Sequence, residues 1–353
     1  MEVGGGEMPF LESGGQASVA ILLLAGITQA SFAWPMRYFR GWRWEHVWVG
    51  QALTANLMFP IAFLALNWPK LRAAFDGVSF GQWAALFLFG VIWGIGGIGY
   101  GISLTSLGLS FTYSLVFGIT TLTGALLPLF WPGLSHPRDP LLFVAGLTLC
   151  IAGSVAFSRA GERRHQEQHL RHAQTLDLVM PIPRLSFSAA LIIAIFAGLF
   201  SASMGLALSF NDGLVQSAMR LGATPLIAPL VVWIPLSLGA GFIALAYGMG
   251  CGLRFHSIPL FWRKFATRNW LLTAGMGVLG FGGMLLYGLG ASGRHHPSKG
   301  VAWGLYMCAF ILMGNALGFF TGEWQNCSRR TRVLLGGGIG ALLGAVVSLA
   351  SCM

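Results

Sequence analysis

The stretch of the chain that decides its fold runs from Phe187 to Phe210 and reads FSAALIIAIFAGLFSASMGLALSF. It carries no charged side chain, and a helix of this length crosses the roughly 30 Å of hydrocarbon in a bilayer. A membrane β-strand would instead alternate in polarity over about ten residues, and an open strand would leave backbone groups unpaired in lipid. The run therefore predicts a transmembrane helix.

Nine further runs of the same character flank this one. In chain order they are Val19–Trp34, Val47–Leu66, Phe80–Leu104, Leu109–Trp131, Pro140–Phe157, Pro225–Gly250, Trp270–Ala291, Gly300–Thr321 and Val333–Cys352. The predicted fold class is therefore all-α, a polytopic membrane protein with ten transmembrane helices.

The composition excludes other classes of protein. Of the 353 residues, 55% are apolar and only 9% are charged, which leaves too little polar surface for a soluble fold. The net charge is +10, but the basic residues lie between the apolar runs and form no basic helix, so nucleic-acid binding is not indicated. The five cysteines form no C-x-x-C pair, which argues against a disulfide framework and a zinc site.

The distribution of Lys and Arg predicts the orientation in a bacterial cytoplasmic (inner) membrane. Fifteen of the 21 basic residues lie in the first, third, fifth, seventh and ninth connections. The positive-inside rule places these connections in the cytoplasm and both termini in the periplasm. The first 18 residues contain three glutamates and no basic residue, unlike the start of a signal peptide, so we expect the first helix to be retained.

A polar linker at residues 158–186 divides the chain. The predicted organisation is an outward-facing tail at 1–18, a first five-helix repeat at 19–157, this cytoplasmic linker, and a second five-helix repeat at 187–353. Because five is odd, the two repeats must be inverted. The segments Gly94–Gly97 and Gly280–Gly283 share a Gly-x-Gly-Gly pattern and precede Tyr100 and Tyr287, respectively. Inverted repeats are common in secondary transporters, which makes transport the leading functional class.

Several motifs, taken together, are similar to those of one transporter family. They are Trp93–Gly101 (WGIGGIGYG), Leu107-Gly108, Gly118–Thr120, Phe200–Met204 (FSASM), Leu221–Leu226 (LGATPL) and Glu323–Asn326 (EWQN) with Arg329-Arg330. Their order and spacing resemble the L-rhamnose/proton symporter family of the drug/metabolite transporter superfamily, and the resemblance covers most of residues 19–350. It implies two inverted five-helix repeats and proton-driven uptake of a deoxysugar.

The sequence departs from the pattern of this family at three positions. Gly97 and Gly99 stand where the family commonly has asparagines, whose amides could bind sugar hydroxyls. Lys299, just before the ninth run, stands where the pattern can have an acid. These departures bear on which sugar is carried and on how protons are coupled.

A sugar site needs aromatic faces and a few uncharged hydrogen-bonding groups. Trp93, Gly97 and Tyr100 share one stripe of the third helix, and Trp303 and Tyr306 share another on the ninth, so these five residues are candidate substrate contacts. The alternative is that such aromatics belong to the interfacial belt and that the glycines serve helix packing.

Three amides in the apolar runs are further candidates for substrate binding. Gln29, Asn56 and Asn315 are costly to expose to lipid, so we expect them to point into the bundle. Gln29 ranks first because Thr28 and Ser31 lie beside it. The alternative role for each amide is a structural hydrogen bond between helices.

Proton coupling calls for a titrating group, and the apolar runs contain no acid at mid-span. The nearest acids are Asp212, at the expected outer surface, and Glu323, at the expected inner surface, and both are candidates for proton coupling. Glu45 and His46 border the second helix on the cytoplasmic side. For each of these groups the alternative is a solvated loop charge or an ion pair with a neighbouring arginine.

The sequence offers no enzymatic constellation. It has no H-E-x-x-H, G-x-S-x-G or Walker A pattern in the apolar runs, so we expect no enzyme and no cofactor. His165, His169 and His172 would share a face if residues 163–174 were helical, but no acid or cysteine completes a metal site and arginines flank them, so no metal is expected.

The resulting prediction is a ten-helix carrier that takes up a small sugar, with the proton as coupling ion and the lipid bilayer as its solvent. An exporter or exchanger of another polar metabolite remains an alternative. A membrane sensor on the same fold, which would bind its ligand without transporting it, is a second alternative.

Overall fold

The computed structural model describes residues 14–107, 109–131, 136–169, 185–292, 297–320, 322, 324–325 and 327–352. Every regular element within these ranges is helical, as the sequence predicts. The α-helices are α1 Gly14–Ala30, α2 Trp44–Gln51, α3 Phe59–Asp76, α4 Phe80–Leu107, α5 Leu109–Leu126, α6 Pro140–His169, α7 Phe187–Ser201, α8 Ser203–Phe210, α9 Asp212–Arg220, α10 Leu230–Arg254, α11 Ala266–Ser292, α12 Lys299–Phe320 and α13 Arg329–Ala350.

In this part of the chain the helices form ten segments that are long and apolar enough to cross a membrane, and each coincides with one of the ten predicted runs. Four segments are irregular, and the fourth of the chain passes from α5 into a 3-10 helix at Leu127–Phe130. The first continues from α1 into a 3-10 helix at Ser31–Tyr38, the second has a π-helix at Ala52–Met58 between α2 and α3, and the sixth changes from α7 to α8 at Ala202. The 3-10 helix contains Pro35, which has no N–H to continue an α-helical ladder.

Two segments extend ten residues or more beyond their predicted ends. The second segment continues to Asp76, and its last turn carries an exposed Arg72–Asp76 ion pair. The helix of the fifth segment, α6, continues to His169 instead of ending at Phe157. Charged residues do not end a helix, because an α-helix can project past the bilayer into water, where these side chains are solvated. The absence of charge therefore locates the lipid-facing part of a helix but not its end.

Backbone contact between small residues holds the bundle together. Helix α4 packs along α7 and α10, α1 packs along α11 and α12, and α6 packs along α13. Between α4 and α10, a Cβ atom at Gly90 would overlap the Leu236 carbonyl, and one at Gly239 would overlap the Phe87 carbonyl. Lipid provides no hydrophobic drive for helices to associate, so this close approach supplies van der Waals contact that larger residues would prevent.

The connections between segments gather at two opposite ends of the bundle. At one end Glu45 bonds to Ser257, which joins the first and seventh connections. At the other end Asp212 contacts Lys299, which joins the sixth and eighth. We refer to these as the Glu45 end and the Asp212 end. In these two contacts, odd-numbered connections meet at one end and even-numbered connections meet at the other. A chain that crosses the bundle in alternating directions requires this arrangement.

Candidate substrate and proton sites

Five aromatic side chains form a buried cluster between α10, α11 and α12. Trp303, Tyr306 and Phe310 lie at spacings of three and four on α12, and therefore share one face of that helix. The ring of Tyr287 from α11 lies 5.5 Å from that of Trp303 and 4.9 Å from that of Tyr306, centroid to centroid. Trp233 from α10 lies 6.2 Å from Tyr287. We call these five residues the central aromatic cluster.

Polar atoms in and beside this cluster lack hydrogen-bond partners. The Tyr287 hydroxyl, the Trp233 indole N–H, the Ser237 hydroxyl and the Gln29 side-chain oxygen are all buried without a partner among the described residues. The Trp303 indole differs, because its Nε1 donates to the Thr120 carbonyl at 3.0 Å. An unpaired buried polar group costs about 1 to 3 kcal/mol, so several beside one another indicate a place where a ligand supplies the missing bonds.

Helix α11 brings these polar groups together. A Cβ atom at Gly283 would lie 2.6 Å from Oε1 of Gln29, so the absence of a side chain there lets the amide approach α11. Tyr287 follows Gly283 by one turn on the same face. A Cβ atom at Gly288 would lie 2.9 Å from Nε1 of Trp233. Polar atoms of α1 and α10 thus approach α11 within about one turn of Tyr287.

This arrangement has the chemistry of a sugar site. Aromatic rings can cover the apolar C–H face of a pyranose, and a phenol, an indole N–H, a hydroxyl and an amide oxygen can bond its hydroxyls. All of these groups are uncharged, which suits a neutral ligand. The predicted candidates Trp303 and Tyr306 belong to the central aromatic cluster, and Gln29 lies against α11 one turn before Tyr287.

The candidates on α4 are divided between two surroundings. Tyr100 packs 5.5 Å from Phe117, whose ring lies 4.7 Å from that of the cluster residue Phe310, so one ring connects Tyr100 to the central aromatic cluster. Trp93 is half-buried and packs against the main apolar core. Gly97 faces α2, where its Cβ would lie 3.2 Å from Cζ2 of Trp48. Gly97 and Tyr100 therefore meet different neighbours, although they share a stripe of α4.

The two other amides lie apart from the cluster. Asn56 is buried within the π-helix and faces Gly241 of α10, as expected for a residue that points into the bundle. The Asn315 amide donates to the Ile311 carbonyl of its own helix at 2.9 Å and is only half-buried. Asn315 therefore makes a bond within one helix, instead of the interhelical bond that was the alternative.

Lys299 and Asp212 form an ion pair at the Asp212 end. Nζ of Lys299 lies 2.7 Å from Oδ1 of Asp212 and also donates to the Ala291 carbonyl at 2.6 Å. Lys299 is only 2% exposed, whereas the Asp212 side chain is 22% exposed. Asp212 thus pairs with a lysine instead of an arginine and keeps part of its contact with water. A buried ammonium needs a counter-charge, and the nearest carboxylate supplies it.

The ion pair and the central aromatic cluster are neighbours. Lys299 precedes Trp303 by four residues on α12, and Ala291 follows Tyr287 by four on α11, so each lies one turn from a cluster residue. Lys299 was noted in the sequence only as a departure from the family pattern. Its burial results from tertiary packing, and the hydropathy of the sequence does not predict such packing.

At the opposite end, Glu45 and His46 are also buried, at 1% and 0% exposed. Nε of Arg43 lies 3.3 Å from Oε1 of Glu45, so the expected ion pair with a neighbouring arginine is present. The alternative of solvated loop charges was wrong for both residues, because the connection after α10 covers them.

Glu323, the first of the two predicted coupling residues because of its place in the EWQN motif, lies outside the described residues, as does His172. Helix α6 ends at His169, so the histidine face that the sequence suggested is not a described element. Among the described residues, no group of three His, Cys, Asp or Glu side chains could hold a metal ion.

Sequence reasoning missed Tyr287, Trp233 and Ser237 as site residues. Tyr287 had a usable signal, because it follows the glycine pattern of α11 as Tyr100 follows that of α4. Trp233 and Ser237 had none, since an apolar helix gives no indication of which face meets its neighbours.

The fold and the site define a polytopic helical carrier with a neutral, aromatic-lined interior and charged residues at both ends. The chain belongs to the family described as L-rhamnose-proton symport protein, whose model matches residues 17–352. This family confirms the resemblance found in the sequence and the expectation of a transporter instead of an enzyme. Together with the ten apolar segments, it makes the chain a multi-pass protein of the inner membrane.

Individual proteins show the same similarity. The chain is 26% identical over 325 residues to an L-rhamnose-proton symporter of Escherichia coli (strain 55989 / EAEC), with 89% of this chain and 91% of that protein covered. It is 26% identical over 320 residues to one of Klebsiella pneumoniae subsp. pneumoniae, with 87% and 89% covered. A solved crystal structure matches with a TM-score of 0.56 at 15% identity, covering 94% of this chain and 98% of that one, which establishes likeness of fold alone.

Proposed function

We propose that this chain takes up a deoxysugar such as L-rhamnose together with protons, by alternating access, across a bacterial cytoplasmic membrane. The observation that carries the proposal is the set of unpaired polar atoms beside the central aromatic cluster, led by the Tyr287 hydroxyl and Gln29 Oε1. The family and its curated members, which are named L-rhamnose-proton symporters, support the choice of sugar and coupling ion.

In this proposal the sugar stacks on Trp303 and Tyr306 and bonds to Gln29 and Tyr287. The remaining predicted contacts, Asn56, Trp93, Gly97, Tyr100 and Asn315, are proposed to meet the sugar on its way in or out. Tyr100 has the strongest support among them, because Phe117 connects its ring to Phe310 of the cluster.

Two inverted five-helix repeats, at residues 19–157 and 187–353, fit the helix contacts. Exchanging each segment with the one five places along the chain converts the α4–α7 contact into the contact of α11 with α1. It converts the α5–α7 contact into the α12–α1 contact, and the α6–α13 contact into itself. A pseudo-two-fold relation of this kind is the basis of alternating access in transporters with inverted repeats.

Asp212 is proposed to couple protons to opening of its end of the bundle, with Glu323 as the second acid. A proton on Asp212 would remove the attraction that holds Lys299, and the ion pair lies one turn from the proposed sugar site. With the basic connections in the cytoplasm, the Asp212 end faces the periplasm, where protons enter, and both termini lie on that side.

Counterflow in liposomes tests the transport proposal. The purified full-length protein, preloaded with unlabelled L-rhamnose, should take up labelled L-rhamnose transiently, and an acid exterior should drive accumulation. A panel of other deoxysugars and polar metabolites would identify an exchanger of a different substrate. Saturable binding with no flux of any substrate would instead indicate a sensor.

A further inference from the structure

Glu45 presents a buried carboxylate that is only half satisfied. It lies in the first turn of α2 and is 1% exposed. Its Oε1 accepts a hydrogen bond from the Ser257 hydroxyl at 2.8 Å and lies 3.3 Å from Nε of Arg43. Its Oε2 is buried with no hydrogen-bond partner among the described residues. A bare carboxylate oxygen in the interior is costly, and a proton bound there would remove much of that cost.

His46 is fixed beside this carboxylate in its neutral form. Its Nδ1 accepts the backbone N–H of Arg43 at 3.3 Å, which leaves the proton on Nε2, where it donates to the Ser257 carbonyl at 2.9 Å. Its Nδ1 lies 3.9 Å from Oε1 of Glu45 but has no proton to share. Arg43 is therefore the side chain whose charge directly compensates Glu45.

A cleft of about 150 Å³ lies next to two of the residues that contact Glu45. Arg43 and Ser257, which both contact Glu45, line it together with Phe255, His256, Pro259, Leu260 and Arg263. Helix α10 faces Glu45 with Tyr247 and Cys251, and Arg254 lies near Cys251. Water in the cleft thus reaches the side chains that hold the carboxylate.

We propose that Glu45 is a proton-binding group of the transport cycle at the end opposite Asp212. This proposal rests on the proposed proton-coupled uptake and names the residue that serves the cytoplasmic side. One proton from water in the cleft binds Oε2 and converts the carboxylate to a neutral acid; its loss to the cytoplasm restores the charge.

Binding of that proton has a structural consequence. Charged Glu45 connects α2 to the connection after α10 through its bond with Ser257, and it attracts Arg43, which lines the cleft. The neutral acid no longer attracts Arg43, so this contact weakens and the Glu45 end can open. When the proton leaves, the ion pair forms again and that end closes. The contacts of the second segment with the rest of the bundle would thereby depend on whether Glu45 carries a proton.

The test compares two kinds of transport in the same liposomes. Accumulation of labelled L-rhamnose driven by an acid exterior requires coupling, whereas counterflow without a pH gradient does not. In Glu45→Gln, accumulation should fall to equal concentrations on both sides while counterflow persists. Glu162→Gln, which removes an exposed acid at the same end, is the matched control and should keep both activities.

A second variant keeps the proposal testable if Glu45→Gln does not insert. Ser257→Ala retains the acid but removes a hydrogen-bond donor to it, so the pH midpoint of counterflow should differ from that of the wild type. Gradient-driven accumulation in Glu45→Gln at the wild-type level would overturn the proposal, as would an unchanged midpoint in Ser257→Ala. If the wild-type protein itself shows no L-rhamnose counterflow, the proposed function fails instead, and the two failures are distinguishable.

Discussion

Nζ of Lys299 lies 2.7 Å from Oδ1 of Asp212, and this pair joins the start of α12 to the start of α9 one turn from Trp303. The two partners differ in burial, since Lys299 is almost completely enclosed and the Asp212 side chain is 22% exposed. Removing the acid therefore leaves a buried positive charge, whereas removing the lysine leaves a partly hydrated carboxylate.

This asymmetry predicts unequal effects of substitution on stability. Asp212→Asn should lower the free energy of unfolding by about 1 to 3 kcal/mol, less than for a fully buried pair because water screens Asp212. Lys299→Met should cost less, and the double variant should recover part of the loss. Thermal unfolding in detergent measures all three. The control is Asp76→Asn, in an exposed ion pair at the same end, which should change little. Equal losses in the two single variants would contradict the burial argument.

The unpaired hydroxyl of Tyr287 predicts a loss of affinity without a loss of stability. Tyr287→Phe keeps the ring in the central aromatic cluster and removes only the hydroxyl, so L-rhamnose binding should weaken by about 1 to 3 kcal/mol while thermal stability holds. Equilibrium binding in detergent measures the change. The matched control is Tyr113→Phe, because the Tyr113 hydroxyl already donates to the Phe310 carbonyl at 3.2 Å. That variant should change stability more than affinity, and the opposite pattern would remove Tyr287 from the site.

Gly97 and Trp48 should behave as a coupled pair. Gly97→Asn, which restores the residue common in the family, places a side chain where Cζ2 of Trp48 would lie 3.2 Å from its Cβ. The ring must move, so counterflow should fall in Gly97→Asn and recover in part when Trp48→Leu is added. Gly81→Ala is the control, since nothing lies within 4 Å of a Cβ there. Additive effects of the two substitutions would show that they do not interact.

Glu167 should make stability depend on pH at the junction of α6 and α13. Hydrogen bonds from Ser328 and Thr331 to this carboxylate hold the pKa of Glu167 below its ordinary value of 4.5. A lowered carboxyl pKa contributes stability that is present above pH 4.5 and is lost as the pH falls through the folded-state value. Thermal unfolding of wild type and Glu167→Gln should converge as the pH is lowered below 4.5, with Glu162→Gln unaffected. Parallel curves down to the lowest pH would exclude this contribution.

The bias of basic residues predicts that the C-terminus is periplasmic. A C-terminal alkaline phosphatase fusion should be active in cells, and a green fluorescent protein fusion at the same site should be dark. A fluorescent C-terminal fusion would reverse the orientation and would place Glu45 on the periplasmic side.

Local sequence was sufficient to predict the ten segments and the aromatic stripe of α12. Each depends on a pattern within one helix, either an uncharged run long enough for the bilayer or aromatic residues three and four positions apart. The stripe of α4 was equally regular, but its members face different neighbours. Gly97 meets Trp48, whereas Tyr100 packs on Phe117. Periodicity assigns residues to one side of a helix and says nothing about which helix that side meets.

The sequence by itself determined the class, because a chain that crosses lipid must pair its backbone groups within helices or a closed barrel, and the uncharged runs are long enough for helices and do not alternate in polarity as barrel strands do. Its motifs also determined the family. Only the tertiary structure decided the environment of each charge and polar group. Lys299 and Asp212 are 87 residues apart in the chain, and Glu45 and Ser257 are 212 apart. Burial and ion pairing depend on what other helices bring to a residue, so contacts over such separations become visible only when the bundle is assembled.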